Sequence, residues 1–267
     1  RRELLSATHY EGGGMMNPAD LGVVQAYLKD LRLPAIARML PDTLRDAEQH
    51  GRSPLDVLRV LLEAELEQRK KNQSQRRIQA AKFPYAKGLE TFDFTANPDL
   101  KKSQIFTLAQ GDYIRQRRSV IFLGNSGRGK THLAIALGRE ACYRGFKVRF
   151  YTAAGLVNEL VTAQNDQQLM KFEARWLKWD LVIIDELGYI PLRKLEAELL
   201  FQFFSLRYER GSFIVTTNLN FDRWSDVFGD AQLTAALLDR LTHKAVIITT
   251  NGESYRFRES MKAQTTD

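Results

Sequence analysis

The sequence predicts an α/β fold in which a parallel sheet lies between layers of helices, preceded by a small all-helical N-terminal domain. Three observations carry this. Short apolar runs of strand type alternate with helical stretches from Ser119 onward, a glycine-rich turn joins the first such run to a helix, and upstream, as far as Pro84, the periodicity is helical throughout.

The helical region opens with Leu21, Val24, Leu28 and Leu31 on one face of a first helix. Pro34 starts a second helix, carrying Leu40, Leu44 and Ala47, which stops near Gly51. Ser53-Pro54-Leu55-Asp56 has the form of an N-cap with proline at the first helical position. The third helix changes character along its length. Val57, Leu58, Leu61, Leu62 and Leu66 make its first half apolar enough to pack on its predecessors, whereas Arg69 to Lys82 holds six basic residues and no acidic one. Such cations usually form a solvated face. Here, like charges at helical spacing repel without interleaved glutamates, and the Asn, Gln and Ser between them hydrogen-bond phosphates and base edges, so nucleic acid is the expected ligand. The candidate contacts are Arg69, Lys70, Lys71, Arg76, Arg77 and Lys82.

Tyr85 to Pro98 reads as a connection, and a helix from about Lys101 to Arg117 leads into the first strand, Ser119–Leu123. Further strands are predicted over Lys147–Tyr151, Leu181–Ile184, Phe213–Thr217 and Val246–Thr249. The expected divisions are 1–14, a flexible leader or engineered remnant; 15–84, the helical DNA-binding domain; 85–100, a linker; 101–260, the α/β domain; and 261–267, a disordered tail.

Gly124-Asn125-Ser126-Gly127-Arg128-Gly129-Lys130-Thr131 satisfies the pattern GxxxxGK[ST], between a strand and a helix as the pattern requires. It predicts a nucleoside triphosphate bound with Mg²⁺. The glycines turn the backbone so that its N–H groups and the helix N-terminus meet phosphate oxygens, Lys130 meets the β- and γ-phosphates, and Thr131 ligates Mg²⁺. Arg128 adds a cation near the phosphates. Leu181-Val182-Ile183-Ile184 ends in Asp185-Glu186, where Asp185 suits the metal's hydration shell and Glu186 the general base of hydrolysis. Asn218 closes the next strand beside the expected γ-phosphate position and can orient the lytic water. Arg240 and Arg256 each offer an arginine beyond the sheet edge.

The net charge of +7 favours a polyanionic partner. The lone Cys142 excludes an intramolecular disulfide and a cysteine-cluster zinc site, and fits a reducing cytoplasm. No apolar run approaches the roughly 18 residues of a membrane span, so no membrane partner is expected.

Taken together, these motifs resemble the AAA+ class of P-loop ATPases, and more narrowly the branch of DnaC-type helicase loaders and IstB-type transposition helpers. The segment Asp185-Glu186-Leu187-Gly188-Tyr189-Ile190-Pro191-Leu192 is close to the IstB form, as are Trp224 to Asp230, Leu238-Asp239-Arg240-Leu241 and Gly252 to Arg256. The similarity runs from about Leu21 to Glu259. It implies Asn218 as sensor 1, Arg240 as an arginine finger acting across a subunit interface, Arg256 as sensor 2, and Phe92 of Phe92-Asp93-Phe94 bordering the adenine. It places Lys171 and Arg175 where related initiators carry a DNA-touching helical pair. The implied function is an ATPase that oligomerises on DNA and assists a cognate transposase. The alternative is a helicase loader, against which the basic third helix argues, since gripping a helicase calls for an apolar face. A small-molecule kinase would not need Asn218, Arg240 and Arg256 around Glu186.

Overall fold

The computed structural model describes residues 18–250. The expected leader, 1–14, and tail, 261–267, lie outside the described residues. The chain divides into two compact units, one through Asn72 and one from Gln73. The expected boundaries at 84/85 and 100/101 fall inside the second unit.

In the first unit, α1 (Pro18–Asp30), α2 (Pro34–His50) and the beginning of α3 (Pro54–Ala81) enclose a small core. Ile36, Leu40 and Leu61 are buried in it, with Leu21, Leu28, Leu33, Met39, Leu44 and Val57 partly buried around them. Gly51 ends α2 in the left-handed conformation, and Ser53 accepts the Asp56 N–H at 3.2 Å to start α3. The apolar set of α3 divides between two stripes, because residues four apart stack along one face. Val57 and Leu61 turn inward, whereas Leu58, Leu62 and Leu66, expected to pack, are exposed, as are Val24 of α1 and Leu31 in the turn that follows it.

The inward stripe of α3 continues to Glu65, whose residue exposure is only 4%. Its carboxylate accepts the Ala35 N–H at 2.9 Å and the Ile36 N–H at 3.4 Å, so it caps a helix whose own preceding residue, Leu33, supplies no side-chain cap. Arg69 donates to the same carboxylate at 2.9 Å and to the Arg32 carbonyl at 2.9 Å. Burial pushes the Glu65 carboxyl up, but the Arg69 guanidinium and the two amide donors outweigh it and hold the pKa below the ordinary 4.5.

The second unit is built on a five-stranded parallel sheet in the order β2-β3-β4-β1-β5. The strands are β1 (Ser119–Gly124), β2 (Val148–Thr152), β3 (Leu181–Asp185), β4 (Ser212–Thr217) and β5 (Ala245–Thr250). Side chains alternate between faces with period two, so Val120, Phe122, Leu181, Ile183 and Ile214 enter one core and Ile121, Val182, Ile184, Phe213 and Val215 the other. The first core is covered by the end of α3, α4 (Lys102–Ala109), α5 (Asp112–Arg115) and α6 (Lys130–Tyr143). The second is covered by α7 (Ala153–Asn165), α8 (Leu169–Trp176), α9 (Lys194–Arg207), α10 (Trp224–Phe228) and α11 (Ala231–Thr242).

Two expected elements differ. The helix expected over Lys101–Arg117 is broken at Gly111, which adopts φ +81° and lies so close to Phe146 that a Cβ would meet the ring at 2.8 Å. The segment expected as a linker supplies Leu89 and Leu100 to the first core, with Phe92 and Phe94 packed against it. Its apolar residues lack helical or strand periodicity, which hides their burial from a pattern-based reading. Among the described residues no helix is long and apolar enough to cross a membrane.

Replacing Glu65 with Ala is expected to destabilise the helical unit by about 1–3 kcal/mol, since two amide donors and Arg69 lose their acceptor. Hydrogen exchange of the α2 amides in the full chain measures this directly. Because the folded pKa is depressed, the Glu65 contribution is present above pH 4.5 and is lost as pH falls through the folded value. Glu65→Gln should flatten that acid limb.

Candidate active site

The strand order sets β1 beside β4 and β4 beside β3, so three carboxyl-terminal strand ends open into one cleft. A cavity of about 460 Å³ lies there. Ser126 to Thr131 line it together with Phe92, Glu186, Thr216 and Asn218.

Glycine is required where β1 leaves the sheet. Gly124 has φ +145°, and a Cβ would lie 2.1 Å from the Thr250 carbonyl oxygen. Gly129, at φ +79°, precedes the first residue of α6, and a Cβ there would lie 2.6 Å from the Phe92 ring. The Lys130 ammonium donates to the carbonyls of Gly124 and Asn125, both at 2.7 Å, and so spans the base of the loop. Arg128 is buried, and its guanidinium donates to the Ala96 carbonyl at 3.3 Å, which ties the loop to the 92–97 segment.

The carboxylate that ends β3 and the one that follows it have opposite settings. Asp185 is 5% exposed, and its Oδ1 accepts from Thr131 Oγ1 at 2.9 Å and Thr216 Oγ1 at 2.5 Å. Glu186 is exposed, at φ +61°, and its N–H donates to Thr216 Oγ1 at 2.9 Å. Leu187 N–H donates to the Thr216 carbonyl at 2.9 Å. Thr216 thus orients both acidic residues through one hydroxyl, a role that no motif in the sequence announces. Its signal was two threonines ending a buried apolar strand. Thr131 and Asp185 present hard oxygens 2.9 Å apart, a donor pair that fits Mg²⁺ alongside phosphate and water oxygens.

Phe92 meets Phe94 edge-on at 4.8 Å and His132 at 5.2 Å. His132 Nε2 lies 2.8 Å from the Gly88 carbonyl, which accepts from it in the Nε2–H tautomer. Burial lowers the His132 pKa from 6.5.

The remaining expected site residues are scattered. Arg240 does not line the cavity. Its guanidinium lies over the Phe201 ring at 4.9 Å and donates to the Ala236 carbonyl at 2.8 Å. Arg256 lies outside the described residues. Lys70, Lys71, Arg76 and Lys82 are exposed, Arg77 is half-buried, and Arg69 is engaged with Glu65. Lys171 is exposed, and Arg175 pairs with Glu159 while lying 4.2 Å over the Phe172 ring.

A family profile described as IstB-like ATP binding protein matches residues 26–263. The chain is 40% identical to a Geobacillus stearothermophilus protein named as an ATP-binding protein of insertion sequence IS5376, over 88% of this chain and 94% of that one. It is 34% identical to the corresponding IS21 protein of Pseudomonas aeruginosa, over 90% and 91%. Among solved structures, a DNA replication initiation factor superposes with a TM-score of 0.54 at 18% identity, covering 67% of this chain and 54% of that one. DnaI superposes at 0.52 with 16% identity, covering 62% and 91%. At these identities the structural likeness establishes the fold alone.

Thr216→Val keeps the strand's volume but removes the hydroxyl between Asp185 and Glu186. Turnover of ATP is expected to fall about 10–100-fold with Mg²⁺ dependence shifted to higher concentration. A phosphate-release assay across a Mg²⁺ titration checks it.

Proposed function

The chain belongs to the IstB-like ATP binding protein family, and from that premise we propose that it is an ATP-dependent DNA-binding ATPase that oligomerises on DNA and assists a cognate transposase. As an insertion-sequence ATP-binding protein with the AAA+ fold, it binds ATP, and ATPase activity is the general activity of that class. The supporting observation for hydrolysis is the convergence of Lys130, Thr131, Asp185, Glu186 and Asn218 around one cleft, with Asp185 buried and Glu186 exposed.

The backbone N–H groups from Ser126 to Thr131 and the start of α6 hold the phosphates. Lys130 exchanges its two loop carbonyls for phosphate oxygens. Thr131 and Asp185 would hold Mg²⁺, which supplies neutralisation of phosphate charge when bound. Glu186 takes the proton of the attacking water, and Asn218 orients that water. Phe92 borders the base. Arg240, outside its own cavity, serves the cavity of a neighbouring subunit, and Arg256 completes the cationic set. Nucleotide at such a composite site then governs assembly, because Arg240 meets the terminal phosphate only when subunits are in contact.

Lys70, Lys71, Arg76 and Lys82 are the α3 cations best disposed to meet DNA phosphates, since their side chains are exposed and hold no ion pair among the described residues. Arg69 serves the helical unit through Glu65, and Lys171 offers a further contact on α8. The helicase-loader reading draws on one observation of its own. Leu55, Leu58, Leu62 and Leu66 form an exposed apolar stripe on α3, the kind of face that grips a protein.

Glu186→Gln is expected to retain ATP and DNA binding while turnover drops by about 10²-fold or more. Unchanged turnover removes the general-base role. Replacing Lys70, Lys71 and Arg76 with Gln should weaken DNA binding and lower the slope of log affinity against log salt by up to about three. An unaltered slope takes α3 out of the DNA interface and favours the loader.

A further inference from the structure

We propose that the Asn97 side chain reads the base of the bound nucleotide, accepting from the 6-amino group of adenine and donating to its N7, and thereby selects adenine over guanine. The inference rests on the nucleotide-binding reading of the same cleft and adds to it a residue that sets base specificity.

Asn97 lies on the segment between the short 3-10 turn at Leu89–Thr91 and α4. It lines the cavity yet is only 4% exposed, and its Oδ1 is buried with no hydrogen-bond partner among the described residues. A buried carbonyl oxygen without a donor is costly, and its placement on a ligand cavity points to a donor arriving with the ligand. The backbone holds the residue in position. Its N–H donates to the Phe94 carbonyl at 3.2 Å, and its own carbonyl accepts the Leu100 N–H at 3.0 Å. The preceding carbonyl, at Ala96, accepts from Arg128 of the phosphate loop. The Asn97 backbone is therefore fixed in relation to the phosphate-binding residues, and the amide has only to turn about its own side-chain torsions to present Oδ1 to a ligand anchored there.

The phosphate end of the cavity is defined by Ser126 to Thr131, so the base falls among the residues contributed by the 85–97 segment and His132. Two polar side chains there are already engaged. Thr91 Oγ1 donates to the Gly88 carbonyl at 3.0 Å, and His132 Nε2 lies 2.8 Å from the same oxygen. A carboxamide offers one acceptor beside one donor, whichever way the amide is turned. Adenine presents the matching pair, the N6 donor and the N7 acceptor, on one edge. Guanine presents two acceptors there, O6 and N7, and would leave Oδ1 facing an oxygen.

The test is displacement of a fluorescent ribose-labelled ATP from the full chain with Mg²⁺ by ATP, GTP and purine riboside triphosphate, which lacks only the 6-amino group. ATP is expected to bind about tenfold or more tighter than either competitor. In Asn97→Leu, ATP loses both contacts and purine riboside triphosphate only the one to N7, so that the ratio of the two affinities approaches one. Equal binding of ATP and purine riboside triphosphate by the unaltered chain overturns the proposal, and that comparison stands even where Asn97→Leu fails to fold. A preference for the 6-amino group that survives intact in a folded Asn97→Leu chain overturns it too. Failure of every nucleotide to bind would overturn the nucleotide-binding reading as well, whereas tight binding of all three removes Asn97 alone.

Discussion

The parallel pairing of β4 with β1 on one side and β3 on the other is the constraint on which the rest of the second unit depends. It registers Leu123 with Thr217 and Ile184 with Val215, so that three strand ends finish at one edge. Only then can Thr131, from the helix after β1, and Thr216 of β4 both reach Asp185 at the end of β3. These side chains are 54, 31 and 85 positions apart along the chain when taken in pairs, and the sheet brings all three within hydrogen-bond reach. Burial within the sheet edge keeps Asp185 dry and held by two hydroxyls, while the left-handed turn at Glu186 carries the next carboxylate into the open cavity. One residue of chain separates a position suited to a metal from one suited to water, and backbone conformation makes the separation.

A second layer of constraint fastens the 85–100 segment to the phosphate loop. The close approach of Phe92 to Gly129 leaves no room for a side chain at that glycine, and Arg128 bonds to the Ala96 carbonyl. Phe92 in turn packs on His132, which is tied to Gly88. The glycine-rich loop and the 85–100 segment are thus one connected structure, joined through packed rings and a buried guanidinium.

The helical unit depends on a different device. Its buried apolar core is small, and a single carboxylate caps α2 from a neighbouring helix and receives Arg69. That arrangement divides the basic stretch of α3 by task. Arg69 belongs to the internal network of its unit, Arg77 is half-buried, and Lys70, Lys71, Arg76 and Lys82 are exposed. Composition cannot make this distinction, because a cation paired within the fold and one facing solvent contribute equally to net charge.

Legible along the chain were the α/β class, the five strands to within two residues at each end, the family, and the candidate glycine-rich loop with its acidic pair. These are local signals: apolar runs, a glycine pattern and the residues flanking it carry their meaning within a few positions of chain. The tertiary structure alone decided what depends on contacts between distant segments. It assigned Thr216 to Asp185 and Glu186, turned Arg128 toward Ala96, drew the 85–100 segment into the core, broke the helix at Gly111, and set Glu65 with Arg69 at the head of α2. A side chain's partner across the fold is fixed by packing and strand order, and neither has a period that can be read along the chain.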